Sequence, residues 1–260
     1  MFFASVKSAL LQNDPDEKIK QVNQLYTDII SGRVDLSVHE FVETIEIPGR
    51  PARPSLVHPS KVARRKLTTE LGRVALVHAI CHIEFNAINL ALDAVYRFQF
   101  MPLEYHQDWM RVAAEEARHF SLLSGRLQRL NSYYGEYSAH NGLWEMSVKT
   151  QHSVVERMAL VPRVLEARGL DVTPGMIERL RAIGDIETVN ILKIILHDEI
   201  GHVEIGTRWF RYACQQQGVD SESTFIALLK QYNVALGTGL LHSKAREQAG
   251  FSIAELKALS

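Results

Sequence analysis

The chain has 260 residues, of which 46% are hydrophobic and 23% charged, with a formal net charge of −1. That length suits one large core or two modest ones, and the composition is that of a folded globular chain rather than a disordered one. The near-neutral balance excludes a global field drawing the protein to nucleic acid or to an anionic membrane. Two cysteines, Cys81 and Cys214, form no CxxC motif, which excludes a disulfide framework or a zinc knuckle.

Residues 4–31 predict one or two short amphipathic helices, broken at Asn13-Asp14-Pro15. Between Ile45 and Ser60 the prolines at 48, 51, 54 and 59 forbid regular helix or central strand, so this segment is expected to be an extended strap. A long helix is expected from the Pro59-Ser60 cap to about Phe100, a turn at Met101-Pro102, and a second helix over about 104–130. A third is expected over about 141–168 with a bend at Pro162, ended by Gly169-Leu170-Asp171. Thr173-Pro174 then predicts a short helix to Ala182. A fourth long helix over about 185–217 stops at Gly218, and smaller helices are expected over 220–235 and 252–259.

Four long helices with short connections predict an all-α, antiparallel four-helix bundle with extra N- and C-terminal helices. Residues 1–59 are read as an extension and 60–260 as the bundle. No uncharged apolar run reaches about 18 residues, so no membrane span is expected. The first residues lack the order of a secretory signal, and the expected location is cytoplasmic.

The chemistry sits in two repeats of one spacing. Glu116-Ala117-Arg118-His119 lies on the second long helix and Glu199-Ile200-Gly201-His202 on the fourth. Three residues apart on a helix means one face, so each pair can present a carboxylate and an imidazole together. The first helix offers Glu84 and the third Glu156, both among apolar neighbours. Ionised glutamates in apolar surroundings are costly unless paired or bound to metal, and four of them balance two divalent ions. Oxygen and imidazole donors suit iron or manganese better than copper(I), with zinc as the alternative. Two further groups lie close by: Glu115 as an alternative or supporting carboxylate, and His152, one turn before Glu156.

One Glu on each of two helices plus Glu-x-x-His on each of two others resembles the ligand set of the ferritin-like superfamily. A closer resemblance rests on several runs. Among them are Pro48-Gly49-Arg50-Pro51, His78-Ala79-Ile80-Cys81-His82-Ile83-Glu84, Glu115-Glu116-Ala117-Arg118-His119-Phe120, Arg157-Met158-Ala159-Leu160-Val161-Pro162 and Asp198-Glu199-Ile200-Gly201-His202-Val203. From about residue 45 onward these are similar to a bacterial ferritin-like family of unknown function. The resemblance implies metal-ligand roles for Glu84, Glu116, His119, Glu156, Glu199 and His202, and brings no substrate.

The functional expectation is a non-haem di-metal oxidoreductase, an oxidase or monooxygenase. It would hold two iron ions, or manganese or a mixed pair, and use O2 or peroxide to hydroxylate or oxidise a small-molecule or modified-nucleotide substrate. Catalytic groups beyond the ligands are not assigned. The alternatives are a ferroxidase or iron-handling protein, and a metal-stabilised binding module without turnover. With no flavin or NAD motif, any electron donor is a separate protein. Nucleic acid is not an expected partner, and a homodimer is the default assembly.

Overall fold

The computed structural model describes residues 2–62, 65–234 and 241–259, all helix, turn and extended backbone, with no strand among them. Eleven α-helices are described. They are α1 Phe2–Leu11, α2 Pro15–Ile30, α3 Glu70–Arg97, α4 Leu103–Arg129, α5 Gly142–Lys149, α6 Val154–Leu160, α7 Arg168–Ala182, α8 Ile186–Gln216, α9 Ser221–Gln231, α10 Ser243–Gln248 and α11 Ile253–Leu259. The chain divides into two compact units, residues 1–148 and 149–260.

In the first unit, α1 buries Phe2, Phe3, Val6, Ala9 and Leu10, a stripe at helical spacing. Asn13-Asp14-Pro15 breaks the chain as expected: the Asp14 side chain accepts the Glu17 N–H at 2.9 Å, and Pro15 opens α2. On α2 the buried stripe is Lys18, Val22, Leu25 and Ile29. Lys18 is fully buried, and its ammonium group donates to the carbonyls of Ala9 and Leu10, at 3.0 and 2.9 Å, and to Asn89 Oδ1 at 2.6 Å. These two carbonyls belong to the open C-terminal end of α1, so a cation there meets both the orphan acceptors and the negative end of the helix dipole. Burial pulls the Lys18 pKa down to about 7.

Helix α3 is buried almost all round from Glu84 to Tyr96, whereas α4 carries a polar face. The two run antiparallel, as Tyr105 Oη donating to Ala94 O, His119 beside Glu84 and Cys81 beside Phe120 O together fix. This register is centred near the turn after Arg97 and brings Glu84 level with Glu116. One 18-residue window of α3 is apolar enough to cross a membrane, and 78% of it is buried inside the protein.

The strap lies in the first unit without regular structure. Its backbone groups find partners outside any regular ladder: Glu46 O accepts from Trp144 Nε1 at 2.9 Å, Gly49 N donates to Leu10 O at 2.9 Å, and Val57 N to Ala139 O at 2.8 Å. Gly49 is required where the strap crosses the end of α1, because a Cβ there would sit 2.2 Å from the Leu11 carbonyl carbon.

Three expectations are corrected. The first long helix begins at Glu70, not Ser60. His58 caps only a short 3₁₀ turn at Pro59–Lys61, while Thr69 Oγ1 accepts the Gly72 N–H at 3.1 Å and starts α3. Positions 63 and 64 of the expected helix lie outside the described residues, as does 235 at the end of the expected helix over 220–235. The third expected helix is broken into α5 and α6, with Ser153 capping α6. After α6 the chain makes a π-helical turn over Val161–Glu166, in which Ala167 N donates to Pro162 O at 3.0 Å. Gly169-Leu170-Asp171 does not end a helix: α7 runs through these residues and through Pro174 to Ala182.

In the second unit, α8 is capped by Asp185, whose side chain accepts the Thr188 N–H at 3.1 Å, and ends before Gly218 at φ +66°. A Cβ on Gly206 would lie 2.5 Å from Pro162 Cβ, so this glycine lets the π-helical turn pack close on α8. The C-terminal helices are tied down by two buried guanidinium groups. Arg163 pairs with Glu255 at 2.7 Å, both side chains at most 3% exposed, and lies over the rings of Phe210, Phe225 and Phe251. Arg246 pairs with Asp171 at 2.7 Å and donates to Ala167 O at 3.2 Å. Cys81 and Cys214 are both buried and free.

Three buried histidines of the first unit are structural. His78 Nε2 accepts the Gly135 N–H at 2.9 Å, His82 lies between Tyr134 Oη at 2.9 Å and His140 O at 3.0 Å, and His106 Nε2 is 3.1 Å from Met101 O. Burial pulls each pKa down from 6.5 to about 4. The unfolded chain therefore binds more protons between those two values, and the contribution these groups make above pH 6.5 is lost as pH falls toward 4. The loss approaches about 1.4 kcal/mol per pH unit for each. Denaturant midpoints between pH 7 and 4.5, measured in a Glu84→Gln background to remove a carboxyl that works the opposite way, should fall steadily. A flat profile would show that these rings are charged or solvated in the fold.

Candidate metal centre

The first unit brings together three of the expected ligands. Glu84 on α3 and Glu116 and His119 on α4 are each at most 2% exposed, and their donor atoms all lie within 4.8 Å of one another. His119 Nδ1 is 3.2 Å from Glu84 Oε2 and 3.2 Å from Glu116 Oε2. The i,i+3 spacing on α4 accounts for the Glu116–His119 contact, and the antiparallel register delivers Glu84 from α3. Burial raises the Glu84 pKa well above the ordinary carboxylate range, and the neighbouring Glu116 carboxylate pushes it the same way. A divalent cation at this point would relieve both effects, so the donor set fits a metal ion. Glu115 is half-buried and outside this three-residue group.

The second unit holds the remaining three. Glu199 and His202 are buried one turn apart on α8, with His202 Nδ1 3.8 Å from Glu199 Oε2. Glu156 lies on α6, which packs against both α8 and α9. Its Oε2 accepts a short hydrogen bond from Tyr232 Oη, just past the end of α9, and lies 3.2 Å from His152 Nε2. Burial and the bond to Glu156 raise the Tyr232 pKa to about 12, so the phenol is the proton donor. Sequence reasoning reached His152 from its one-turn spacing to Glu156. It missed Tyr232, which is 76 residues away and carries no local signal.

Residues 11–257 match the family model described as a protein of unknown function, DUF455. The chain belongs to the DUF455 family. A curated relative, an uncharacterized protein of Haemophilus influenzae, is 44% identical over 265 residues, covering 98% of this chain and 92% of its own length. No solved structure matches the chain. Family membership extends over both units and therefore over all six expected ligands.

Proposed function

We propose that this DUF455 chain is a ferritin-like di-metal carboxylate protein whose two ions, iron or manganese, serve an oxidoreductase reaction with O2 or peroxide. The observation that carries this reading is the buried Glu84–Glu116–His119 set, two carboxylates and one imidazole in apolar surroundings. Glu156, Glu199 and His202 of the second unit are the same donor types, and the four carboxylates of the chain would balance two divalent ions. Such a pair of ions supplies Lewis acidity and redox electrons to the bound oxidant. The chain's own groups hold the ions, balance their charge and keep water away from their inner side, while the organic substrate is oxidised by a reaction that needs a separate electron donor.

Metal content per folded chain tests the reading. Protein isolated or reconstituted anaerobically should carry about two iron or manganese ions by inductively coupled plasma mass spectrometry, the number expected of a di-metal carboxylate site. The Glu116→Ala/Glu199→Ala double variant should lose them while keeping its helical circular dichroism. Absence of tightly held metal in the wild-type protein would overturn the proposal. Uptake of many irons per chain would favour iron handling over turnover.

A further inference from the structure

The two oxygens of Glu156 are treated differently. Tyr232 Oη and His152 Nε2 both approach Oε2, and among the described residues Oε1 has no hydrogen-bond partner. The side chain itself is only 17% exposed, so a carboxylate held in this way is fixed rather than wandering in solvent. Tyr232 follows the last turn of α9, where its own N–H donates to Leu228 O at 3.0 Å, and α9 packs on α6. The C-terminal part of the chain thus reaches a carboxylate presented by α6.

We propose that Tyr232 is a positioning residue: its phenol, seconded by His152, fixes Glu156 through Oε2 and leaves Oε1 as the oxygen offered to a metal ion. This rests on the di-metal reading above. A hydrogen-bond donor on the distal oxygen of a ligating carboxylate sets its rotamer and its basicity, and losing such a partner typically weakens metal binding 10–100-fold. His152, with a side chain 61% exposed, is the weaker of the two partners and is open to exchange with solvent.

The test is an anaerobic titration of the full chain with Mn2+, in the wild type and in Tyr232→Phe and His152→Gln. Tyr232→Phe should weaken one of the two ions about 10–100-fold and leave the other unchanged. His152→Gln should have a smaller effect in the same direction. Because His152 is exposed, that variant keeps the inference testable should Tyr232→Phe fold poorly. A merely structural Tyr232 would lower the melting temperature of the metal-free protein and weaken both ions together, and that result overturns the inference. Ferric loading gives a second readout. A tyrosinate bound directly to iron would give a visible charge-transfer band that vanishes in Tyr232→Phe, whereas a positioning phenol gives none. If the wild type binds two ions and both variants bind them equally well, the positioning role falls while the metal centre stands. If the wild type binds no ion, both fall.

Discussion

Replacing Glu84 with glutamine is expected to make the metal-free protein more stable and the metal-binding protein worse. Glu84 and Glu116 both approach Nδ1 of one imidazole, that of His119, in a site that water scarcely reaches. Without a cation, one carboxyl must stay protonated or its charge must be borne in an apolar environment, and either costs folding free energy. The amide keeps the shape and removes the charge. Relief of about 1–2 kcal/mol is expected in the metal-free state, within the range that a single stabilising substitution commonly gives. In a chain of this size that corresponds to a rise of roughly 2–8 °C in melting temperature. The same variant should retain at most one ion per chain. Stability and binding moving in opposite directions is the signature of a site kept for function. A Glu84→Gln protein that melts lower and binds metal normally would mark Glu84 as an ordinary structural acid.

The second large effect is expected in the other unit. Glu255→Ala removes the carboxylate facing Arg163 and leaves a guanidinium group with a fully buried side chain among three phenylalanine rings. The Thr207 hydroxyl at 3.2 Å cannot neutralise it. Breaking a buried pair from one side costs about 3–5 kcal/mol, enough to release α11 and expose the C-terminal helices to protease. Replacing both partners by apolar residues, Arg163→Met with Glu255→Leu, should recover most of that loss, since the desolvation cost disappears with the charges. Urea unfolding of the single and double variants measures both. A single variant within about 1 kcal/mol of wild type would show that the cation finds water or another carboxylate.

The sequence made some of this legible and hid the rest for identifiable reasons. Local signals were strong where one side chain does one job: Asp14 before Pro15, Asp185 before α8 and Gly218 after it each mark a boundary through a single hydrogen bond or a single positive φ. The Glu116–His119 contact likewise follows from helical spacing alone. Competing caps defeated the reading of α3, since His58-Pro59-Ser60 has the chemistry of a helix start and does open one short turn. Neither periodicity nor composition distinguishes a buried arginine from a solvated one. Arg163 acquires its role from Phe210, Phe225, Phe251 and Glu255, all at least 47 positions further along the chain. The Tyr232–Glu156 bond is hidden for the same reason.

The π-helical turn between Val161 and Glu166 makes chain length itself a constraint. A wider turn takes up an extra residue, and each residue rotates a helix by about 100°. Losing one residue there would tighten the turn to ordinary helix and swivel everything that follows. Arg163, held by α8 and α11, would be pulled off its rings, and Pro162 would leave the gap that Gly206 keeps open. The loop around residues 33–38 has no such phase to keep. Evolution can lengthen or shorten the chain there freely, but between α6 and α7 it can exchange letters without changing their number.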